Sequence, residues 1–386
     1  MALKDIFKNR IRFDRNELAG AFGDIGTDLP LIIGMILASG LDAASVLITY
    51  GIMQILTAIR YGIPMPVQPL KAVAMLVITQ KIAPNIIYGG GLAIGILMLV
   101  LSLTGLIDLI SKYIPKVVVR GIQFGLGIQL SMTALKEYII SDSLLGYGLA
   151  AVAFIITIVL IGNRKYPAAI FIILLGIVYS LIFKFNNFEI TNAVSVSFPK
   201  INNPKWTDIL TGFLILALPQ IPLSIGNSII ATNQIANDLF PEKKITVRKI
   251  SLSYSIINII NPFLGGIPTC HGSGGLTGHY AFGGRTGGSV VIYGILFLIL
   301  GFFFANSFEQ TVKIFPLPIL GVILLFEGIY LMLFIKDIID SKKNFFISLL
   351  VALIACGLPY GYLIGMIVGT TMNYISDKSI KNYFTI

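Results

Sequence analysis

Apolar residues in this chain run in blocks of roughly twenty, parted by short polar stretches, and do not alternate with polar ones. Fourteen such blocks read as membrane segments. Their cores are 18–38, 42–59, 67–81, 86–109, 116–136, 144–162, 167–184, 208–236, 247–261, 271–284, 288–305, 316–335, 344–357 and 359–376. The third and tenth are too short to cross as helices, at about 1.5 Å per residue against an apolar layer of about 30 Å. Each follows a Gly-Ile-Pro, at Gly62-Ile63-Pro64 and Gly266-Ile267-Pro268. The pattern predicts an all-α polytopic membrane protein with 14 transmembrane segments, two of them half-helices. A transmembrane β-barrel would show short alternating strands instead.

The spacing also repeats. The two Gly-Ile-Pro motifs are 204 residues apart, Pro115 and Gly127 recur as Pro316 and Gly328 at 201, and Gly26 pairs with Gly226 at 200. One register therefore places each half-helix third in its half. An offset of seven crossings, an odd number, inverts the second copy, so the expected architecture is a 7+7 inverted repeat. Residues 1–190 form the first repeat (segments 1–7) and residues 200–386 the second (segments 8–14). The polar link from Phe185 to Lys205 joins them on the outside.

Composition agrees with the pattern. The chain is 56% hydrophobic and 12% charged, with a mean hydropathy of +0.88, whereas soluble domains are about 25% charged. No stretch is long and polar enough to form a soluble domain. A net charge of +10 raises nucleic acid as a partner, but the cations sit in clusters between apolar blocks, which is the positive-inside pattern of a protein whose partner is the lipid bilayer. With the N-terminus inside, 21 Lys and Arg fall on the cytoplasmic side, 6 fall outside and Lys71 lies within a segment, completing 28. The chain is therefore expected in the cell membrane with both termini cytoplasmic. There is no secretory signal, and the basic stretch Met1 to Asn16 is mildly amphipathic and suits the cytoplasmic surface. Cys270 and Cys356 are too few and too far apart for a disulfide framework.

The chemistry gathers at the two breaks. In Gly62 to Leu70 (GIPMPVQPL), prolines 64, 66 and 69 forbid regular helix before about Val67. Pro69 suits the first turn of a half-helix, Gln68 its cap, and Lys71 follows at once. Gly265 to Gly288 (GGIPTCHGSGGLTGHYAFGGRTGG) holds 10 of the 39 glycines and both histidines. His271, Gly272, Ser273 and Gly274 would open a second half-helix pointing at the first. A helix N-terminus with free N–H groups, positive dipole and glycines that admit close approach is an anion site. The bland alternative is a proline-kinked helix with a snorkelling Lys71, disfavoured because an intramembrane lysine is costly. His279, eight residues on, reads as packing near the cytoplasmic end, and Arg285 as the inner end of the segment. The stretch lacks the Gly-Lys-Ser/Thr of a P-loop, and Thr277 stands where the dinucleotide fingerprint needs Gly. Cys270, His271 and His279 come with no carboxylate and match no zinc spacing, so neither a metal nor another cofactor is expected.

A third motif, Glu17 to Pro30 (ELAGAFGDIGTDLP), carries Asp24 and Asp28 at i, i+4 with Thr27 beside them. Acids within a membrane segment are functional candidates. Two roles stay open here: carrying a proton with the anion, or pairing with Lys71. The matching segment of the second half carries Gln220, Asn227, Ser228 and Gln234. Asn227 is the expected ligand by its repeat relation to Thr27, while Gln220 and Gln234 suit interhelical hydrogen bonds. Glu327 is the remaining deep acid. Glu137 and Asp238 lie at predicted ends, and Asp108, Lys112 and Lys116 read as an ordinary cytoplasmic boundary.

The stretches ELAGAFGDIGTDLP, PMPVQPLKA, IPLSIGNSIIAT with the later DLFP, and GGIPTCHGSGGLTGHYAFGGRTG together resemble the molybdate transporter family, a relative of the SulP sulfate permeases. The resemblance implies the inverted-repeat fold of the uracil permeases, with substrate between the third and tenth segments and contributions from the first and eighth. SulP permeases usually carry a C-terminal STAS domain; no STAS domain is expected here, because the chain stops soon after its last segment, which favours the molybdate branch. Asp28 departs from the aromatic expected after Gly-Thr in many relatives.

The expected function is import of a tetrahedral oxyanion, molybdate before sulfate, by a secondary transporter and not an enzyme. Thr27, Gln68, Lys71, Asn227, His271, Gly272, Ser273 and Gly274 would bind it. Asp24, Asp28, His271 and Glu327 are the candidates for coupling to H+. The competing readings are a broad oxyanion or sulfate transporter, a membrane metalloenzyme using the histidines, and a passive anion channel. A homodimer is compatible with this fold.

Overall fold

The computed structural model describes residues 10–107, 115–160, 168–183, 194–308 and 315–379. These are helical almost throughout, with one pair of two-residue strands. Among the described residues five helices are long and apolar enough to cross a bilayer: Ala43–Tyr61, Pro84–Thr104, Ser143–Leu160, Trp206–Leu239 and Leu317–Ile338. Shorter apolar helices, among them Lys71–Gln80 and Gly288–Phe303, complete the bundle. Leu144, Leu145, Ile155 and Val159 on Ser143–Leu160 are exposed, as a lipid-facing helix requires. The result is a helical polytopic membrane protein.

The predicted first segment, 18–38, is not one helix. It breaks into α1 (Arg15–Ala21) and α2 (Ile25–Ser39). The cause is close packing on the glycine-rich stretch. A Cβ on Gly20 would lie 2.6 Å from the Gly284 nitrogen, and one on Gly23 would lie 2.6 Å from the His279 nitrogen. The break leaves Asp24 at the N-cap of α2, buried. Helix α3 (Ala43–Tyr61) starts at Asp42, whose carboxylate accepts from the Ser45 N–H and hydroxyl at 2.9 and 2.7 Å. It stops at Gly62, in the left-handed region at φ 65°.

Beyond Gly62 the residues before Pro66 and Pro69 are pushed out of helical conformation. The chain therefore runs extended through β1 (Gln68–Pro69), and α4 (Lys71–Gln80) begins only at Lys71, with Leu70 as its cap. This corrects the expectation that Gln68 caps the half-helix with Pro69 in its first turn. The remaining helices are α5 (Pro84–Thr104), α6 (Lys116–Thr133), α7 (Ser143–Leu160), α8 (Ala168–Phe183), α9 (Trp206–Leu239) and α10 (Val247–Ile260). After strand β2 (Thr269–Cys270) come α11 (Ser273–Ala281), α12 (Gly288–Phe303), α13 (Leu317–Leu333), α14 (Lys342–Gly357) and α15 (Gly361–Ser379). Helices α4 and α11 have ten and nine residues, about 15 Å each and half the bilayer core. Helix α9 relaxes to π-helical turns over Phe213–Ala217 and Ser224–Ala231, and such turns commonly sit at functional sites.

The two extended stretches meet, although 201 residues separate Pro69 from Cys270 in sequence. Strands β1 and β2 pair antiparallel, Gln68 opposite Cys270 and Pro69 opposite Thr269. The Leu70 N–H adds a bond to the Pro268 carbonyl at 3.0 Å. Each strand's other edge is closed by an amide side chain. Gln54 on α3 accepts from the Val67 N–H at 2.9 Å and donates to its carbonyl at 2.7 Å. Asn258 on α10 does the same for Thr269, at 2.9 and 2.6 Å. Unpaired backbone at membrane depth is costly, and these two side chains remove that cost. They stand 204 residues apart, the offset of the Gly-Ile-Pro motifs. Gly127 and Gly328, 201 apart, touch where α6 crosses α13: a Cβ on either would lie 2.5 or 2.7 Å from the other's carbonyl oxygen.

Asn258→Leu leaves the Thr269 N–H and C=O without partners. Each unpaired group costs about 1–3 kcal/mol. The expected result is a clear drop in the unfolding temperature of the detergent-purified protein, and a smaller drop for Asn258→Gln. An unchanged transition in Asn258→Leu would show that the strand edge does not depend on this amide.

Candidate functional site

Helix α2 presents Asp24 and, one turn on, Asp28, which are 4% and 0% exposed. They have different partners. Asp24 accepts from Gln68 Nε2 with both oxygens, at 2.7 and 2.8 Å. Asp28 Oδ2 is hydrogen-bonded to the Tyr50 hydroxyl and lies 3.4 Å from that of Tyr293, while its Oδ1 makes no hydrogen bond of good geometry and the two carboxyls lie within reach of each other. The Tyr50 hydroxyl also reaches the Val67 carbonyl at 2.6 Å. The rings of Tyr50, Tyr293 and Phe297 pack against one another with centroids 4.7 to 6.4 Å apart. Lys71, the first residue of α4, and Glu327, half-buried on α13, are the other charged side chains in electrostatic reach of Asp24.

The glycines at the start of α11 make room for these groups. The Gln68 Oε1 occupies the place a Cβ on Gly272 would take, and a Cβ on Gly275 would lie 2.8 Å from the Asp24 carboxyl carbon and from Pro66 Cγ. Asp24 is thus seated over the first turn of α11. Among the described residues the amides of Ser273, Gly274 and Gly275 have no hydrogen-bond acceptor. Unpaired first-turn amides and the positive end of the helix dipole both favour an anion there.

The N-terminus of α4 is not equivalent. Gln220 on α9 accepts from the Ala72 and Val73 N–H groups at 3.0 and 3.3 Å. Its amide nitrogen donates to Ser224, which bonds Tyr254 at 2.7 Å. The predicted symmetry of two open half-helix ends therefore holds for geometry but not for free donors. Gln220 does bridge helices, as expected. Gln234 does not: it donates to Asp238 on its own helix at 2.8 Å, in an exposed position.

The structure separates the other predicted residues. The imidazole of His271 is not with the carboxylates. Its Nδ1 lies 3.0 Å from the Pro66 carbonyl and its Nε2 2.7 Å from the Ser253 hydroxyl, and its ring packs on Tyr61. A buried carbonyl needs a donor, so Nδ1 donates to Pro66 and Nε2 is left to accept from Ser253. The ring pins the extended stretch before Gln68 to α10. His279 is fully buried beside Tyr293, and neither ring nitrogen makes a hydrogen bond of good geometry. Ser273 and Lys71 are half-buried and Gly274 is exposed. Asn227 lines a cavity of about 480 Å³ that it shares with Lys116 and Arg120. Thr27 lies in α2, but its side chain is outside the described residues, as are Asp108 and Lys112. Among the described residues no three His, Cys, Asp or Glu side chains are grouped as metal ligands.

Sequence reasoning missed Tyr50, Gln54, Asn258 and Tyr293. Tyr50 and Gln54 share their block with Thr49 and Thr57, and Asn258 shares its own with three serines, so polarity alone does not single them out. Gln54 and Asn258 left a detectable signal in their shared offset of 204, at which Tyr50 also recurs as Tyr254.

Residues 16–130 and 212–331 match a family described as molybdate transporter of the MFS superfamily. The chain is 35% identical over 387 residues to molybdate transporter 2 of Arabidopsis thaliana, covering 88% of this chain and 82% of the plant protein. Among solved structures it is similar to the transmembrane domain of BicA, a cyanobacterial bicarbonate transporter. There the TM-score is 0.68 at 16% identity, over 94% of this chain and 99% of that one. It is also similar to the murine anion transporter Slc26a9 in its inward-facing state, with a TM-score of 0.70 at 12% identity, over 98% and 72% of the two chains. At such identities the structural likeness is one of fold.

Proposed function

This chain belongs to the molybdate transporter family, and from that premise we propose that it imports molybdate as a proton-coupled secondary transporter working by alternating access. The observation that carries the reading is Asp24, held by the Gln68 amide over the open first turn of α11. The protein's own carboxylate stands beside the amides that would receive an oxyanion, without bonding to them. Substrate would bind there, on the amides of Ser273 and Gly274, with Gly272 allowing close approach. Gln68 would turn its amide donor from Asp24 to the substrate. Thr27 and Asn227 would add neutral hydrogen bonds, and Lys71 a positive charge. His271 would serve the site through position, by fixing Pro66.

Coupling follows from the same geometry. A dianion and an ionised Asp24 repel each other, so binding favours a protonated or displaced carboxyl. Import against a negative-inside potential opposes each charge by about 2.3 kcal/mol per 100 mV, or about 4.6 for a dianion. Co-transported protons offset this. Both termini are assigned to the cytoplasm on the Lys and Arg distribution. The inverted repeats, 1–190 and 200–386, are supported by the paired roles of Gln54 with Asn258 and of Gly127 with Gly328. Helices α2 to α4 and α9 to α12 would move against α6 and α13 to α15. Two cavities support that seam: the one of about 480 Å³ between α6 and α9, and one of about 450 Å³ lined by Gln80, Gln129, Pro219 and Tyr362.

The test is uptake of labelled molybdate into proteoliposomes with and without an inward proton gradient, with tungstate and sulfate as competitors. Gradient-driven accumulation that sulfate at equal concentration does not suppress is the expected result. Equal competition by sulfate would make this a broad oxyanion carrier, and uptake that never exceeds equilibrium would make it a channel. His271→Ala is expected to lower the yield and unfolding temperature of the protein while leaving the molybdate affinity of the folded fraction within about threefold. Loss of affinity without loss of stability would return the ring to the binding site.

A further inference from the structure

Counting hydrogens around Tyr50 separates the two carboxyls. The Tyr50 oxygen is within hydrogen-bond distance of Asp28 Oδ2 and of the Val67 carbonyl oxygen, at 2.6 Å for the latter. A phenol carries one proton. A backbone carbonyl has none to give, and the other donor on Val67 is the Gln54 amide, at 2.7 Å. If Asp28 were ionised, one of the two contacts would press lone pair against lone pair in a buried site. Both are hydrogen bonds only if Tyr50 donates to Val67 and Asp28 donates to Tyr50. Tyr293 then donates weakly to the remaining lone pair of Oδ2 at 3.4 Å. Asp24 has the opposite surroundings, with the Gln68 amide donating to both of its oxygens and Lys71 in reach.

We infer that Asp28 is an un-ionised carboxylic acid at neutral pH and is the store from which the transported proton is drawn. The titratable groups facing it are Asp24 on its own helix, Tyr50, Tyr293, Lys71 and Cys270. As the oxyanion enters, Asp28 passes its proton to Asp24, which becomes neutral and leaves the α11 end to the substrate. Asp28 becomes the anion, and Tyr50 turns its O–H from Val67 to Asp28. One O–H bond breaks, one forms, and no outside proton is needed at the binding step. The transport half of this inference rests on the oxyanion reading above; the protonation half does not.

Infrared spectra of the purified protein at neutral pH test the protonation half. The C=O stretch of a protonated carboxyl should be present in the wild type, absent in Asp28→Asn and shifted in Tyr50→Phe, which removes its hydrogen-bond acceptor. A band that survives Asp28→Asn, or one that Tyr50→Phe leaves unmoved, would overturn the assignment. The transport half is read by calorimetry of molybdate binding in buffers of different ionisation enthalpy. Binding by the wild type should take up no proton from the buffer, and Asp28→Asn should lose gradient-driven accumulation. Uptake of one proton per molybdate, or gradient-driven accumulation intact in Asp28→Asn, would show that the proton is drawn from elsewhere. A wild type that neither binds nor accumulates molybdate would refute the function and leave the infrared result standing.

Discussion

Gln68→Ala should slow molybdate uptake by about 10- to 100-fold. The side chain makes two hydrogen bonds to the Asp24 carboxylate, at 2.7 and 2.8 Å, from a strand packed against Cys270. A hydrogen bond to a charged group contributes about 1.5–3 kcal/mol, or roughly one to two powers of ten in an equilibrium. Truncation removes the anchor that seats Asp24 over α11 and also the donor proposed to meet the substrate. Gln68→Glu should be worse, because it sets a second carboxylate against Asp24 in a buried space. Initial rates in proteoliposomes, normalised to folded protein, are the measurement. A rate for Gln68→Ala within about twofold of wild type would mean that the substrate does not use this end of the half-helix.

The largest effect on stability is expected from Glu17→Ala, well away from the carboxylate pair. Glu17 is 2% exposed. One oxygen accepts from the Arg285 and Thr286 N–H groups and the Thr286 hydroxyl, at 3.0, 2.8 and 2.9 Å, and the other from the Ser289 N–H at 2.9 Å. It holds the turn between α11 and α12 and caps the start of α12. The same turn is tied to the N-terminal segment by Gly287 N–H to the Arg10 carbonyl at 2.9 Å. Alanine strands three backbone donors, at about 1–3 kcal/mol each, so a loss of about 3–9 kcal/mol is expected. Little monodisperse protein should survive purification. Glu17→Gln retains one acceptor but turns a donor toward other donors, and should fall between the two. Normal yield and unfolding temperature for Glu17→Ala would show that water replaces the carboxylate in that turn.

The most legible features of the sequence were those with their own local physics. Prolines at 64, 66 and 69 and the glycine cluster after 265 announced that helix must fail there, whatever packs around them. Ten- and nine-residue half-helices followed. Their starts were misplaced by a few residues, because the proline at 69 serves an extended strand and not a first turn. The break in the first segment was not legible, since Gly20 and Gly23 look like small-residue packing until the backbones they touch are known.

The site divides along the same line. Its residue types were readable: two acids one turn apart, a glutamine among prolines, and glycines at a helix start. Their partners were not. Asp24 and Asp28 look alike in sequence, and only the fold gives one of them Gln68 and the other Tyr50 and Tyr293. His271 looked like a ligand because a histidine beside glycines at a helix start offers a donor, but its direction is set by Pro66 and Ser253, 205 and 18 residues away. By itself, then, the sequence determined a helical membrane protein with two interrupted segments and an anion-favouring composition at the breaks, because hydropathy, proline and glycine act locally. Only the tertiary structure decided which amides stay open, which carboxyl the Gln68 amide holds and which histidine is a staple. Those depend on hydrogen-bond partners brought in from helices that no local signal connects.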